Sequence, residues 1–132
     1  MSEKSFTCSV ITPERQVYES EVDSVVIPAH DGEMGILFNH APLICKLGTG
    51  AMRVRKGNDQ QAWFLDAGFV QVIENRVIVL AQRALRSDQI DRDQAEGMLA
   101  EARAMKVTDE ISYRNKVHAQ AVARAQLRIT GK

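Results

Sequence analysis

Residues 27–42 read IPAHDGEMGILFNHAP, the most unusual stretch of the 132-residue chain. Gly32 and Gly35 flank a Glu-Met pair, which predicts that the backbone bends sharply there or approaches another surface closely. Pro42 fixes its own φ and biases Ala41 toward an extended conformation. A loop of this kind, which carries acidic and imidazole side chains, often marks a contact site. The alternative is a tight structural turn between closely packed β-strands.

Short apolar runs separated by turn residues continue on both sides of this loop, over residues 5–82. We expect one strand over 22–27, ended by Pro28, and two separate strands over 62–65 and 69–73. In all, nine or ten strands are expected. Strands at this spacing are typical of an antiparallel β-sandwich or barrel.

The composition changes after residue 87, where Ala, Glu, Gln, Arg and Met dominate, residues that favour helices. We expect a first helix over about 88–106, capped by Asp91, and a second over about 110–129, capped by Thr108 or Asp109. A short loop between two helices indicates an antiparallel hairpin.

The fold class is therefore mainly β plus α: an N-terminal antiparallel β-sandwich of about ten strands over 1–86, followed by a C-terminal antiparallel two-helix hairpin over 87–132. The second helix has a thin, alanine-rich apolar side that begins at Ile111 and ends at Ile129. The apolar stripes of the two helices can cover each other, which leaves little to hold them elsewhere. We expect the hairpin to dock weakly on the sandwich, or to dock on another protein.

Composition excludes several classes of protein. Apolar residues make up 45% and charged residues 26% of the chain, as in ordinary globular domains. Cys8 and Cys45 form no CxxC pair and predict buried free thiols in a reducing compartment. No apolar run is long enough to cross a membrane, and the N-terminus has no hydrophobic signal core. We therefore expect a protein that is cytoplasmic, or one that is attached to a cytoplasmic component.

The net charge of zero argues against nucleic-acid binding but hides an asymmetry. Residues 107–132 hold five basic and two acidic residues, a net charge of +3. The basic residues of the last helix are Arg114, Lys116, Arg124 and Arg128. They predict either a surface for an acidic partner or a solvated face paired with the other helix.

No group of residues in the chain predicts catalysis or a metal site. The three histidines, His30, His40 and His118, lack the spacing of zinc ligands, and the nucleotide and hydrolase glycine motifs are absent. Trp63 and Phe64 are adjacent in a strand and so point to opposite faces. One is expected in the core and the other at an edge or interface. Because the histidine spacing and the motifs of catalytic sites are absent, we predict no catalytic residue, metal or cofactor.

The segments Gly32-Glu33-Met34-Gly35-Ile36 and His40-Ala41-Pro42-Leu43, followed by Gly50, resemble the signature of the epsilon subunit of F-type rotary ATP synthases, called delta in mitochondria. The runs at 66–69 and 77–81 are also similar to that family. The resemblance extends over essentially the whole chain, including the helical hairpin.

The resemblance implies a ten-stranded β-sandwich with a two-helix hairpin and no catalytic site of its own. The partners it implies are the gamma subunit, the membrane c-subunit ring and, through the hairpin, the alpha and beta catalytic subunits. The chain would then be a peripheral membrane protein on the cytoplasmic side of a bacterial cell membrane, in a rotor that couples proton or sodium flow to ATP synthesis.

The resemblance also assigns roles to individual residues. The residues that would face the c ring are Asp31, Glu33 and His40, and those that would shape their turn are Gly32, Gly35 and Pro42. In bacterial members the hairpin can extend along gamma and block ATP hydrolysis. The residues that would then approach acidic segments of the catalytic subunits are Arg114, Lys116, Arg124 and Arg128.

Some bacterial members bind ATP through a motif that reads roughly [IL]-D-x-x-R-A. Here Ile90, Asp91 and Ala95 match it, but Gln94 replaces the arginine. A neutral amide cannot supply the charge of arginine to a phosphate, so we expect no ATP binding, and Asp91 is the one ATP contact that the motif would retain.

Two other functions stay open at this point. A free-standing β-sandwich could bind a small ligand through Trp63 or the 30–42 loop, although this leaves the basic helix unexplained. A small enzyme could use His30 and Asp31, although no third group at a recognisable spacing would complete its site.

Overall fold

The computed structural model describes residues 4–130, which form eight β-strands followed by two α-helices. The strands are β1 Phe6–Ile11, β2 Gln16–Val22, β3 Ser24–Ala29, β4 Gly32–Ile36, β5 Leu43–Lys46, β6 Thr49–Lys56, β7 Asp59–Ile73 and β8 Arg76–Arg86. A 3₁₀ turn at Ser87–Gln89 leads to the helices α1 Arg92–Ala104 and α2 Glu110–Thr130.

The strands follow the order β2-β1-β8-β7-β6-β3-β4, and β5 pairs with β7. Every pairing of these strands is antiparallel except that between β1 and β8, which is parallel with Thr7 opposite Arg76. β6 pairs with the first half of β7 and β5 with its second half. β7 therefore contributes to both layers of the sandwich.

The two layers meet at a bend in the middle of β7. Ala67 and Gly68 have φ angles of 62° and 125°, in the left-handed region. Side chains in the core between the layers lie at odd positions before the bend, such as Leu65, and at even positions after it, such as Val70. A Cβ on Gly68 would overlap the carbonyl oxygen of Leu80. The bend lets one long strand change layers without losing its pairing with β8, a device common at sandwich corners.

The core lies between the layers and contains the alternate apolar side chains of seven strands. Its largest fully buried members are Trp63, Ile27, Ile36, Met52 and Leu65. Removing apolar surface of this kind from water is the main favourable contribution to folding, about 1.5–3 kcal/mol for each large side chain.

The sandwich-plus-hairpin prediction is confirmed, but the strands number eight rather than about ten. The two strands expected over 62–65 and 69–73 are one strand, since the bend at Gly68 does not interrupt β7. Pro28 does not end a strand either. It lies inside β3, opposite Glu33, and its carbonyl accepts a hydrogen bond from the Gly48 N–H at 2.8 Å.

Both predicted helices are present, with caps where the sequence places them. The Asp91 carboxylate accepts a hydrogen bond from the Gln94 N–H at 3.2 Å at the start of α1. Asp109 Oδ1 accepts one from the Ser112 N–H at 2.8 Å at the start of α2, and Ser112 Oγ accepts from the Asp109 N–H at 3.0 Å. Such reciprocal bonds satisfy N–H groups that a helix start leaves without partners.

The hairpin docks on the outer face of the sandwich, where α2 contacts β6 and β7. Phe64 is fully buried there against Val122, Ala125 and Ile129 of α2. Ile111, expected on the same apolar side, is instead 68% exposed. It precedes the buried part of α2, whose first buried residue is Val122.

Candidate functional site

The loop that follows β4 is fastened to the turn between β7 and β8. Asn39, whose φ is 65°, donates its backbone N–H to Asn75 Oδ1 at 2.7 Å. Asn75 Nδ2 returns a hydrogen bond to Asn39 Oδ1 at 3.1 Å. This pair gives the loop a defined position, and sequence reasoning missed it because the two residues lie 36 positions apart.

The predicted turn residues have different roles. Gly32 has a φ of 135° and turns the chain from β3 into β4, so its glycine is required by the backbone. Gly35 lies inside β4 opposite Val26, and the bend expected of it is absent. Pro42 is exposed immediately before β5.

The three residues predicted to face a c ring do not form one cluster. Asp31 is exposed at the β3–β4 turn, Glu33 is exposed on β4, and His40 lies on the loop before β5, where Nδ1 is 2.7 Å from the Ala41 carbonyl oxygen. Within residues 4–130, none of the three forms a hydrogen bond or ion pair with another.

Glu33 has a partner that the sequence did not reveal. Arg53 Nη1 and Nη2 donate to the two Glu33 carboxylate oxygens at 3.0 and 3.3 Å. This hydrogen bond and the positive charges of Arg53 and Arg128 hold the pKa of Glu33 below its ordinary value.

The outer face of β5, β7 and β8 exposes large apolar side chains. Ile44 is 71% and Phe69 53% exposed, and Phe69 lies directly opposite Leu80, which is 46% exposed. The outward-facing apolar side chains of this surface are Ile44, Phe69, Ile73 and Leu80. A groove of about 350 Å³ runs from Phe69 and Leu80 to Ile11 and Pro13. We call this surface the apolar face; contiguous exposed apolar surface of this kind typically marks a protein interaction site.

The basic residues of α2 are only partly brought together. Arg114, Arg124 and Arg128 are exposed and follow the spacing of a single helix face, with Val117 and Ala121 between them. We call this face the arginine stripe. Lys116 is two residues from Arg114, about 200° around the helix, and lies off the stripe. Arg114 is paired with Glu110, its nitrogen 3.2 Å from the carboxylate.

A polar contact joins α2 to the sandwich beside the bend in β7. Asp66 is only 7% exposed, and its Oδ1 lies 2.9 Å from His118 Nε2 of α2. Thr49 Oγ1 donates to the same oxygen at 2.7 Å, and Arg83 Nη2 lies 3.5 Å from Oδ2. Burial raises the pKa of Asp66, but the hydrogen bonds from His118 and Thr49 and the charges around it outweigh burial, and the pKa falls below its ordinary value. Sequence reasoning missed this site because His118 is 52 positions from Asp66.

The residues proposed for other chemistry do not assemble a site. Trp63 is 2% exposed, packs against Tyr18 and donates Nε1–H to Gln61, so its ring cannot stack on a ligand. In the described part of the chain, no three acidic, histidine or cysteine side chains are grouped to hold a metal ion. His30 and Asp31 are exposed at a turn, and among residues 4–130 they belong to no such group of three side chains. Asp91 serves as the α1 cap, and the absence of ATP binding stays a prediction.

No helix within residues 4–130 combines the length and apolar character needed to cross a membrane.

Comparison with known proteins identifies the family. Residues 5–87 match the family model described as ATP synthase, Delta/Epsilon chain, beta-sandwich domain. The chain is 39% identical over 132 residues to the ATP synthase epsilon chain of Cyanothece sp., covering 96% of each chain. It is 40% identical over 124 residues to that of Rhodopirellula baltica, covering 94% of this chain and 97% of the relative.

Two chains illustrate the solved structures that share the fold. One is a chain in the cryo-EM structure of the Euglena gracilis mitochondrial ATP synthase, with a TM-score of 0.83 at 22% identity over 92% of this chain and 78% of that one. The other is from the central stalk and c-ring of the Tetrahymena thermophila mitochondrial enzyme, with a TM-score of 0.73 at 12% identity over 94% of this chain and 95% of that one. With the family match and the close relatives over nearly its whole length, the chain belongs to the epsilon chain family of ATP synthases.

Proposed function

We propose that the chain is the non-catalytic epsilon subunit of the central stalk of a proton- or sodium-translocating F-type ATP synthase. In this role it joins the rotor that couples ion flow to ATP synthesis. The observation that carries the proposal is the apolar face, a large exposed apolar surface on a sandwich whose other outer face is already occupied by its own hairpin.

The partner proposed for the apolar face is the gamma subunit. A stable protein interface has a desolvated apolar centre with a polar rim, and a few anchors dominate the binding energy. Phe69 and Leu80, in direct cross-strand register, provide such a centre. Lys46, opposite Phe69 on β5, provides a polar rim position.

The partner proposed for Asp31 of the β3–β4 turn, Glu33 of β4 and His40 of the loop before β5 is the polar surface of the c-subunit ring. Asp31 and Glu33 are exposed, and the Asn39–Asn75 pair fixes the loop on which His40 lies. A fixed loop loses little conformational freedom on binding, which favours a rotor contact that must transmit torque. The chain would then be peripheral to the membrane, on the cytoplasmic side in a bacterium.

The arginine stripe supports a regulatory role for the hairpin. When α2 is docked, Arg124 and Arg128 are exposed. If the hairpin extends along gamma, these charges can meet acidic surfaces on the catalytic alpha and beta subunits, and this attraction weakens with salt. In this arrangement the hairpin inhibits ATP hydrolysis.

The test of the proposal is binding to purified gamma subunit by calorimetry. Phe69→Glu places a charge at the centre of the apolar face and should weaken gamma binding at least about tenfold. The matched control is Gln60→Glu, which changes the charge equally on an exposed part of the same strand. Both variants should keep the β-type circular dichroism spectrum. Undiminished binding by Phe69→Glu would refute the docking surface.

A further inference from the structure

The hairpin is held on the sandwich by two different kinds of contact. One is the apolar cluster around Phe64, which contacts Val122, Ala125 and Ile129. The other is the hydrogen bond between Asp66 and His118. Apolar contacts are non-directional, whereas a hydrogen bond to a buried carboxylate requires one position of α2 along the sheet.

The hydrogen-bond partners of the Asp66 carboxylate differ between the docked and the undocked arrangement of α2. Of the groups on its carboxylate, Thr49 lies on β6 and Arg83 on β8, so both belong to the sandwich. His118 alone comes from the hairpin. When α2 leaves, the carboxylate keeps two partners and loses the third, so the sandwich does not retain an orphaned buried charge.

His118 is accessible even when the hairpin is docked. Its side chain is 56% exposed, whereas that of Asp66 is 9% exposed. The hydrogen bond can therefore break without opening the sandwich core. A contact with one buried end and one accessible end is suited to a reversible switch between two arrangements.

We propose that the Asp66–His118 hydrogen bond is a latch that holds the hairpin in its docked arrangement, and that breaking it releases α2 from the sandwich. The latch deepens the proposed function, because it rests on the hairpin acting as a movable regulatory element. Release would expose the surface under α2 and let the arginine stripe, which is already exposed on the docked helix, move away from the sandwich. The bond therefore opposes the inhibitory arrangement.

The latch can be tested on the isolated full-length subunit by hydrogen–deuterium exchange over residues 110–130. His118→Ala should accelerate exchange there about tenfold, which corresponds to about 1.4 kcal/mol of docking free energy. Exchange in β1 and β8 should not change. The matched control Asn115→Ala alters an exposed polar residue of the same helix and should behave as wild type. His118→Gln retains a donor and should recover part of the protection.

A double-mutant cycle separates the latch from a general loss of stability. Asp66→Ala removes the acceptor of this hydrogen bond but also the contacts of Thr49 and Arg83, so its own effect is not specific. If the hydrogen bond holds α2, the exchange increase caused by His118→Ala should be much smaller in the Asp66→Ala background. If His118→Ala exchanges like Asn115→Ala, or if the two substitutions act additively, the latch is refuted.

A second measurement, ATP hydrolysis by the assembled complex, distinguishes failure of the latch from failure of the inhibitory function. His118→Ala should lower hydrolysis relative to wild type. A full-length variant with Arg114, Arg124 and Arg128 changed to Gln should raise it. Faster exchange in His118→Ala, together with equal hydrolysis in all three complexes, would support the latch and refute the inhibition of ATP hydrolysis by the hairpin. Unchanged exchange with raised hydrolysis in the neutralised variant would refute the latch alone.

Discussion

Trp63 and Phe64 are neighbours in β7 but are buried in different apolar clusters. Trp63 lies in the core between the two layers, and Phe64 lies under α2 on the outer face. The alternation of a strand thus assigns one aromatic residue to each part of the molecule. Substitution of one or the other should therefore separate the stability of the sandwich from the docking of the hairpin.

Trp63→Ala should destabilise the whole sandwich by about 3–5 kcal/mol, the usual cost of removing a buried aromatic side chain. Phe64→Ala should mainly release the hairpin and leave β-strand exchange close to wild type. Urea unfolding and hydrogen exchange of both variants test this. Equal loss of protection in strands and helices in the two variants would indicate one shared core.

A chain lacking residues 88–132 should retain a cooperative unfolding transition and a β-type circular dichroism spectrum.

Glu33→Gln should have a small effect on stability despite the bidentate pair with Arg53. The two side chains are 57% and 46% exposed, and such surface ion pairs contribute roughly 0–1 kcal/mol. The same change should weaken attachment of the rotor to the c ring in reconstituted enzyme. Glu19→Gln, at another exposed position, is the control. A large drop in the melting temperature of Glu33→Gln would show that its role is structural.

Asp66 should make stability depend on pH in the acid range. Its pKa in the folded protein lies below the ordinary value of 3.8, so its stabilising effect is full above that value and is lost as the pH falls through the lowered one. Asp66→Asn should therefore cost stability at pH 7, by about 1.5–3 kcal/mol for a buried charged hydrogen-bonding group, and less at lower pH. Urea unfolding of both proteins at pH 7 and pH 3 measures the difference. An equal loss of unfolding free energy in Asp66→Asn at pH 7 and pH 3 would contradict a lowered pKa of Asp66.

The two cysteines should differ in reactivity. Burial raises the pKa of Cys8 to about 12, and Cys8 is fully buried in the core. Cys45 is half-buried, and burial and the charge of Asp31 also raise its pKa. Because the thiolate is the nucleophile, a thiol reagent at pH 8 should label Cys45 first and Cys8 only on unfolding. Labelling of the Cys45→Ser variant in the native state would show that Cys8 is accessible.

The sandwich and the hairpin were predictable because apolar periodicity is a local property of the sequence. The number of strands was not predictable from the sequence. Asp66-Ala67-Gly68 has the composition of a turn, and only its long-range pairing with β8 makes this segment a bend within one strand. The same limit applies to the candidate sites. Glu33, His40 and the arginines could be selected from motif and charge, whereas the contacts of Asp66 with His118 and of Asn39 with Asn75 depend on the folded chain.

Lys116 shows how spacing refines a charge count. By charge alone Lys116 belongs with the three arginines, because all four residues lie in one basic helix. The helix period separates it from Arg114, Arg124 and Arg128, which share the exposed face. Its substitution should relieve inhibition less than substitution of any of the three.

The most direct test of the account is complementation of an ATP synthase depleted of its epsilon subunit, reconstituted in vesicles with the rest of its rotor. Added wild-type chain should rebind and restore ATP synthesis driven by an ion gradient, whereas Phe69→Glu should fail to rebind and Gln60→Glu should behave as wild type. Absence of rebinding and of restored synthesis with the wild-type chain would contradict its assignment as the epsilon subunit of the rotor.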